Sequence, residues 1–314
     1  MKRIKLTLSI LVSIVIILGM FACAGGPDVT GAPGAPEKAE PEKAEAPATE
    51  APEKAEEEEA EPQPEYREVT ERVQLVEKKS FYYPDGVLDR YRVYTYAETG
   101  ADLLEEKLFN AEDELQERTD YSYEAGKIVS ETTYDSDGNT VSTHRYEYDE
   151  DGNLVEDRLL GRNEELQSIS RYEYGEKGRK VKWSVYDADD SLLAYTEYSY
   201  EDGKNTRIEN YRPGGTLDDY FVIEYDDRGR RKRETWYTAS GDIEEYRTYT
   251  YENGALVRET VHRGNDSVKR KIIYTNNEEG NAVKAVYMDG GDNVQERVAY
   301  EYVERTRTRR VPVE

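Results

Sequence analysis

The sequence predicts an all-β domain built as one long antiparallel meander, and three observations lead to that prediction. A Tyr-x-Tyr pair, with degenerate copies at Ile223–Tyr225 and Ile272–Tyr274, recurs from Tyr96 to Tyr302 at intervals of 23 to 28 residues, counted between the second residues of successive copies. Glycine-containing turns separate short runs rich in tyrosine, threonine and valine, which favour strands. Hydrophobic residues make up only 36% of the chain, yet 28 residues are tyrosine. Such a period is typical of repeat architectures with thin, half-buried layers.

Residues 1–22 are predicted to be a signal peptide. Lys2, Arg3 and Lys5 precede an apolar run over residues 6–18 that is short for a membrane span of about 20 residues. Cys23, the only cysteine, follows Ala22. This segment resembles a bacterial lipoprotein signal, whose lipobox places a small residue directly before an acylated cysteine.

The lipoprotein resemblance implies that Cys23 carries the acyl chains that anchor the protein in a lipid bilayer. Ala24 stands where an aspartate often marks retention in the inner membrane, which favours the outer membrane. The alternative is an ordinary secretory signal with a stray cysteine. With Cys23 lipidated, the folded part has no thiol for a disulfide or a cysteine metal site.

Residues 23–65 are predicted to form a disordered tether that follows the lipidated cysteine. Between residues 24 and 65 there are thirteen acidic residues and three lysines, a net charge of −10, and no aromatic residue. Prolines and self-repelling charge make such a segment an extended spacer. A decoy or cell-wall-binding role for this acidic stretch is the alternative.

The charge balance excludes one class of partner. The formal net charge of −25 becomes about −28 when the three basic residues of the signal peptide are removed. Nucleic-acid binding needs a dominant positive surface that releases counterions, so no nucleic-acid partner is expected. Adsorption on anionic lipid is disfavoured for the same reason, which leaves the acyl chains as the membrane contact.

Residues 146–174 illustrate one repeat of the predicted domain, which spans residues 66–314. Residues 146–148 alternate tyrosine and glutamate with the period of a strand. A turn at 149–153 leads into a strand at 154–160, and another strand runs from residue 166 into the next tyrosine pair. Eight such two-strand units of about 26 residues, with a half-unit at 81–94, give about 17 strands.

An open meander of this size is expected to form a long twisted or coiled sheet, because strand twist accumulates and large open sheets curl. Its tyrosines should stack along the inner face. A closed transmembrane barrel is the rival architecture, and it requires a band of lipid-facing apolar residues. Strands such as 158–161 and 230–234 carry charge on both faces, which disfavours that rival.

Two units carry a family resemblance. Tyr146-x-Tyr148-Asp149-x-x-Gly152-x-Leu154 and Ile223-x-Tyr225-Asp226-x-x-Gly229-Arg230 resemble the tyrosine-aspartate (YD, Rhs-type) repeats of bacterial surface and secreted proteins. The resemblance covers about residues 81–304 and implies an elongated β scaffold. The aspartate is replaced in Tyr200-Glu201 and Tyr251-Glu252.

No cofactor, metal site or catalytic centre is predicted. His144 and His262, the only histidines, fall at different phases of the repeat and are interpreted as strand residues. The runs at 135–139 and 149–153 look like the start of calcium loops, but the twelfth positions hold Tyr146 and Leu160 in place of glutamate. Turn chemistry explains both runs.

The tyrosines are the candidate ligand contacts, namely Tyr146, Tyr148, Tyr172, Tyr174, Tyr198 and Tyr200. Departures from the ladder are expected to mark any site, at the degenerate copies Ile223–Tyr225 and Ile272–Tyr274 and in the 23-residue interval between Tyr251 and Tyr274. The leading function is a non-enzymatic lipoprotein scaffold that binds protein or glycan. The alternatives are a structural envelope spacer and a polysaccharide hydrolase with paired carboxylates.

Two basic clusters stand out, one at 228–233 and one at Arg305, Arg307, Arg309 and Arg310. The terminal cluster is predicted to protect the last edge strand from self-pairing. Docking to an anionic polymer, or to the acidic stalk of a neighbouring copy, is the alternative.

Overall fold

The computed structural model describes residues 66–98 and 100–312, with side chains from 67 to 308. The predicted signal peptide, Cys23 and the acidic tether lie outside these residues. Within the described residues, eighteen strands follow one another, with one 3₁₀ turn at Glu176–Gly178. They are β1 (Tyr66–Tyr82), β2 (Leu88–Tyr96), β3 (Leu103–Asn110), β4 (Leu115–Glu124), β5 (Lys127–Asp135), β6 (Thr140–Tyr148), β7 (Leu154–Leu160), β8 (Leu166–Tyr174), β9 (Lys180–Asp187), β10 (Leu192–Glu201), β11 (Lys204–Tyr211), β12 (Leu217–Tyr225), β13 (Arg231–Thr238), β14 (Ile243–Glu252), β15 (Ala255–Arg263), β16 (Val268–Asn276), β17 (Ala282–Asp289) and β18 (Val294–Pro312).

The strands close into a barrel. Each strand pairs antiparallel with its neighbours in sequence, and β1 pairs with both β2 and β18. The prediction of an antiparallel all-β repeat is therefore confirmed, but the prediction of an open, coiled sheet of about 17 strands is wrong. Closure depends on β1, which has no Tyr-x-Tyr pair and precedes the first recognisable repeat. A closed barrel leaves no long sheet edge to be covered.

Each two-strand unit ends in a tight turn and contains an irregularity beside the tyrosine pair. At the turn after β6, the Asp149 amide donates to the Asn153 carbonyl at 2.9 Å, and Gly152 has a φ of 89° that favours glycine. The Asp149 carboxylate accepts from the Asn153 amide at 2.7 Å. The turn interpretation of this run is confirmed. A register shift at Glu147/Tyr148 marks a bulge, which increases local twist and helps the sheet to curl.

The tyrosine pairs lie on the inner face of the barrel. Glu106 on β3 pairs with Tyr94 on β2 and with Thr119 on β4, so Tyr94 is level with Thr119. Thr119 lies two residues before Tyr121, the equivalent tyrosine, and successive repeats are therefore staggered along the strand direction. With the right-handed twist of strands and the hairpin hydrogen bonds, this stagger places the tyrosine face inside. Burial agrees, since nine of the fourteen buried residues share that face: Lys79, Phe81, Thr119, Thr196, Ile223, Val261, Ile272, Ala285 and Val298.

The barrel is wide. Eighteen strands about 4.8 Å apart, tilted by about 40°, give a diameter of roughly 35 Å at the backbone, and natural barrels of 16 to 18 strands leave an aqueous channel. In the described part of the chain, extensive backbone contacts join only neighbouring strands, so opposite walls of the barrel do not approach each other closely at the backbone. Beside the closure seam, Phe81 of β1 and Ile272, Ala285 and Val298 of β16 to β18 form a buried cluster.

The structure corrects the phase of one degenerate copy. Asn276 donates to the Leu256 carbonyl, twenty residues earlier, at 2.9 Å. Tyr251 and Tyr302 make the equivalent bond to carbonyls twenty residues before them. The copy is therefore Tyr274–Asn276, and the prediction of Ile272–Tyr274 is wrong. The apparent 23-residue interval disappears, because Asn276 lies 25 residues after Tyr251 and 26 before Tyr302.

β1 and β18 continue past the barrel as a two-stranded ribbon. Residues 66–76 pair with 302–312. Arg305 and Arg307 share one face of this ribbon, and Arg307 Nη2 is 2.6 Å from Glu71 Oε1. Within the barrel β18 is paired on both sides, so the prediction that it is the last edge strand is wrong there. Only its ribbon portion has an open edge. No helix in residues 66–98 or 100–312 has the length and apolarity to cross a membrane.

Candidate functional site

The second tyrosine of each pair holds the barrel wall together. The hydroxyls of Tyr148, Tyr174 and Tyr200 donate to backbone carbonyls twenty residues earlier, each at 2.8 Å. The accepting carbonyls lie beside the register shifts, where the ladder is interrupted and a carbonyl needs another donor. The same bond is made by Tyr96, Tyr225, Tyr251 and Tyr302. These hydroxyls are committed to the fold.

The first tyrosine of each pair is half-buried in the inner wall. Burial raises the pKa of Tyr172 to about 12 and also raises the pKa values of Tyr146 and Tyr198, so these hydroxyls stay protonated at neutral pH. The Tyr146 hydroxyl donates to Glu131 at 3.2 Å. The same bond, to a glutamate fifteen residues earlier, is made by Tyr249 and Tyr274.

The inner residues Glu106, Glu131, His144 and Asp157 of β3 to β7 form what we call the acidic sector. Its three carboxylates each lie fifteen residues before the first tyrosine of a pair. His144 Nδ1 is 2.8 Å from Asp157 Oδ1. Burial works against a charged imidazole, but the bond to Asp157 and the charges of Asp157 and Glu131 outweigh it and raise the pKa of His144. The sector can attract cationic groups.

The inner residues Trp183, Ile208, Phe221, Ile223 and Trp236 of β9 to β13 form what we call the aromatic sector. Trp183 and Ile208 occupy the positions that hold carboxylates in the acidic sector, and Ile223 replaces the first tyrosine of its pair. Phe221 and Trp236 stack with ring centroids 5.7 Å apart. Both tryptophans of the chain lie here and both are half-buried. This patch continues the degenerate copy Ile223–Tyr225, which the sequence had marked.

A row of polar side chains runs through the aromatic sector on β10, β11 and β12. Thr196 Oγ1 donates to Asn210 Oδ1 at 2.8 Å, and Asn210 Nδ2 donates to Asp219 Oδ1 at 2.6 Å. Burial raises the pKa of Asp219. Thr196 is the direct cross-strand neighbour of Trp183. The sector therefore combines flat apolar rings with hydrogen-bonding groups.

Cations cover several rings of the tyrosine ladder. Lys180 Nζ lies 4.6 Å from the ring centroid of Tyr198 and 5.5 Å from that of Tyr172. Lys127 and Arg179 lie over Tyr148 and Tyr200, respectively. Four of the six tyrosines predicted to contact a ligand therefore already have a cation over one face of the ring. Such contacts contribute about 0.5 to 2 kcal/mol each and compete with a ligand for the ring.

The remaining candidate groups are used within the fold. In the basic cluster at 228–233, Arg230 pairs with Asp226 and Arg231 with Glu234. His262 lies on the outer face and stacks on Tyr246, with centroids 4.4 Å apart. No group of three or more His, Cys, Asp or Glu residues in the described part of the chain could hold a metal ion.

Sequence reasoning placed the ligand contacts on the tyrosines and missed Trp183, Phe221 and Trp236. The sequence held a signal, because Trp183 on β9 and Trp236 on β13 both occupy alternating strand positions that face the lumen. Recognising it required the register of each hairpin, which includes one bulge per turn and cannot be counted from the sequence period alone.

Comparison with known proteins gives limited similarity. No family model and no curated protein matches the chain. Among solved structures, a TcdB2–TccC3–Cdc42 complex is 16% identical with a TM-score of 0.38, over 72% of this chain but only 14% of that chain. A porin-like protein from Bacteroides uniformis is 12% identical with a TM-score of 0.40, over 73% of this chain and 98% of that chain. One from Bacteroides vulgatus is 11% identical with a TM-score of 0.35, over 73% of this chain and 98% of that chain. At these values the likeness says nothing about what the protein does.

Proposed function

We propose that the protein is a non-enzymatic, lipid-anchored envelope barrel that binds an elongated ligand, a glycan or an extended peptide, on its inner wall. The observation that carries the proposal is the closed eighteen-strand barrel, wide enough for a lumen, whose described inner wall carries half-buried aromatic rings and carboxylates. Aromatic rings and hydrogen-bonding groups on one concave surface are typical of ligand sites.

The charged residues on the outer face support a barrel that is surrounded by water and not by lipid. Mid-strand on β7 and β8, Arg158 and Arg171 pair with Glu156, at 2.6 and 2.9 Å. A barrel wall in lipid carries an apolar band at this depth, where arginine costs about 2 to 4 kcal/mol. Other charged residues alternate onto the outer face in the same way: Arg118, Asp120, Lys182, Glu197, Arg207, Glu209, Arg233, Arg258, Lys271 and Lys284. Membrane attachment through Cys23, on the outer membrane, fits this surface.

A purely structural spacer is the second candidate. It is favoured by the commitment of the second tyrosines, whose hydroxyls bond to backbone carbonyls and so serve the fold itself. A spacer should tolerate removal of the two-strand unit at residues 127–152, because the remaining sixteen strands can still close. A ligand-binding barrel should lose affinity when its lumen is narrowed in this way.

The proposal is tested by blocking the lumen. In a full chain carrying Cys23→Ala, Ser170→Cys places a thiol on the inner face, and Ser199→Cys places one on the outer face. Each variant is labelled with a maleimide-polyethylene glycol and incubated with panels of envelope glycans and peptides. We expect the label at position 170 to abolish binding and the label at 199 to leave it unchanged. Equal binding by both labelled proteins would contradict the proposal.

The lipid anchor is tested separately. Labelling with an alkynyl fatty acid should modify the natural chain and not the Cys23→Ala variant. The variant should also leave the membrane fraction, and its retention there would contradict the anchor.

A further inference from the structure

We propose that the aromatic sector is a binding site for an uncharged pyranose chain lying across strands β9 to β13. This inference rests on the proposed function and names the ligand class and the part of the wall that takes it. Three kinds of observation lead to it: the placement of the rings, the polar row between them, and the distribution of charge.

The rings leave a slot of suitable length. Trp183 on β9 and Phe221 on β12 are three strands apart, which corresponds to about 14 Å across the wall. Of the inner side chains on the two strands in between, Thr196 and Asn210 are level with Trp183, and Tyr198 and Ile208 are level with Phe221. Phe221 is backed by Trp236, which stacks on it at 5.7 Å. A short oligosaccharide running perpendicular to the strands fits between these aromatic walls.

The polar row supplies hydrogen bonds that sugar hydroxyls can use. A side-chain amide has two N–H donors, and Asn210 spends one on Asp219. Its second N–H and the carboxylate of Asp219 face the same slot. Aromatic faces pack on the C–H faces of pyranose rings, while a few placed polar groups fix their orientation. An aliphatic ligand would leave these buried polar groups without new partners.

Among the described residues, cations lie over tyrosines of β8 and β10 but not over the tryptophans of the aromatic sector. Lys180 lies over Tyr172 and Tyr198, and Arg179 over Tyr200. In the described part of the chain, no lysine or arginine is placed over Trp183 or Trp236. The tryptophan rings are thus the ones not already engaged by a cation. We infer that Trp183 at one end of the slot and Phe221 at the other, more than the tyrosines, contact the ligand.

Charge selects the ligand within the carbohydrates. The chain has a net charge of −25, and the carboxylates of the acidic sector share the same lumen. An anionic glycan is therefore repelled as it approaches. A cationic chain would prefer the acidic sector and Glu131 in particular, because Glu106 already pairs with Arg92 and Asp157 with His144. An uncharged chain is neither repelled by the net negative charge nor attracted to the acidic sector, so stacking on the aromatic rings is what retains it.

The test measures binding of defined oligosaccharides to the full chain carrying Cys23→Ala by titration calorimetry. The probes are neutral hexose hexamers with β1,4, β1,3 and α1,4 linkages, an oligogalacturonate as the anionic probe, a chitosan oligomer as the cationic one, and an arginine-rich peptide. We expect at least one neutral hexamer to bind. We expect Trp183→Ala to weaken it by about tenfold or more, equivalent to 1.4 kcal/mol, and Asn210→Ala to weaken it to a smaller extent.

Matched controls separate the site from the fold. Glu131→Gln in the acidic sector and Tyr220→Ala on the outer face should leave the affinity for the neutral hexamer unchanged. Trp183→Phe keeps an aromatic ring and should retain most of the affinity, which guards against a folding defect in Trp183→Ala. Absence of binding by every neutral hexamer, unchanged binding in Trp183→Ala, or preference for the peptide would overturn the inference.

The two proposals fail differently. If the label at position 170 abolishes binding of some ligand but the tryptophan variants do not affect it, the lumen binds elsewhere and only the site assignment is wrong. If the label has no effect on any ligand, the proposed function itself is wrong.

Discussion

The acidic sector and the aromatic sector occupy the same inner wall at the same phase of the repeat, yet they differ in chemistry. In the first, the residue fifteen positions before the leading tyrosine is Glu106, Glu131 or Asp157. In the second, the equivalent positions hold Trp183 and Ile208. The backbone is the same in both, because the second-tyrosine hydroxyls bond to carbonyls twenty residues earlier throughout.

This difference separates two roles of the repeat. The second tyrosine satisfies a carbonyl at each bulge, so it serves the fold and recurs with little change. The position fifteen residues before the first tyrosine points into the lumen and is free to vary. The residue fifteen positions before the first tyrosine therefore determines the local chemistry and any ligand preference, while the tyrosine pairs determine the architecture.

The largest effect on stability is expected when an acidic residue, of the kind found in the acidic sector, is placed in the aromatic sector. Ile223 is 5% exposed and lies directly opposite Glu234, so Ile223→Asp buries a carboxylate beside another acid. We expect a loss of about 3 to 5 kcal/mol in the free energy of unfolding, measured by denaturant titration of the full chain. Glu131→Gln, in the acidic sector, is the control and should cost about 1 kcal/mol or less. Equal losses would show that the two sectors do not differ in this respect.

A smaller effect tests the structural role of the second tyrosine. Tyr174→Phe removes the hydroxyl that bonds to the Leu154 carbonyl at 2.8 Å. Leaving that carbonyl without its donor should cost about 1 to 2 kcal/mol of unfolding free energy. Tyr198→Phe, at the first position of the pair on β10, should cost less than about 0.5 kcal/mol. Similar values for the two variants would contradict the division of labour between the two positions.

The smallest effect is a pH dependence confined to the acidic sector. The bond to Asp157 raises the pKa of His144 against the effect of burial, so the folded state binds its proton more tightly than the unfolded state. This contribution to stability is complete below about pH 6.5 and is lost as pH rises through the folded-state pKa. We expect a decrease of about 1 kcal/mol or less between pH 6 and 8, measured by thermal unfolding. Asp157→Asn should abolish this decrease, and its persistence would exclude the His144–Asp157 pair as the cause.

The sequence predicts the strand content well because it depends on local rules. The turn at 149–153 and the alternation at 146–148 are set by residues close together in the chain, and both are confirmed. Closure is not local. It requires β1, whose residues 66–76 show no repeat motif, to pair with β18 more than two hundred residues later.

The candidate site was predictable only in part. The sequence indicated Ile223–Tyr225 as a departure from the ladder, and that copy does lie in the aromatic sector. The sequence alone could not show that Trp183 and Trp236 both face the lumen, because one bulge per hairpin shifts the register and decides which residues face inward. The same bulges moved the second degenerate copy from Ile272–Tyr274 to Tyr274–Asn276.

Tryptophan fluorescence tests the central claim most directly, because the chain has only two tryptophans and both lie in the aromatic sector. Full chain carrying Cys23→Ala is titrated with the neutral hexamer that binds most tightly by calorimetry. We predict a saturable change in emission with a midpoint equal to the calorimetric dissociation constant, and in Asn210→Ala a midpoint that moves to a higher hexamer concentration by less than about tenfold. A hexamer that binds without altering the emission would contradict the claim that the ligand contacts this part of the inner wall.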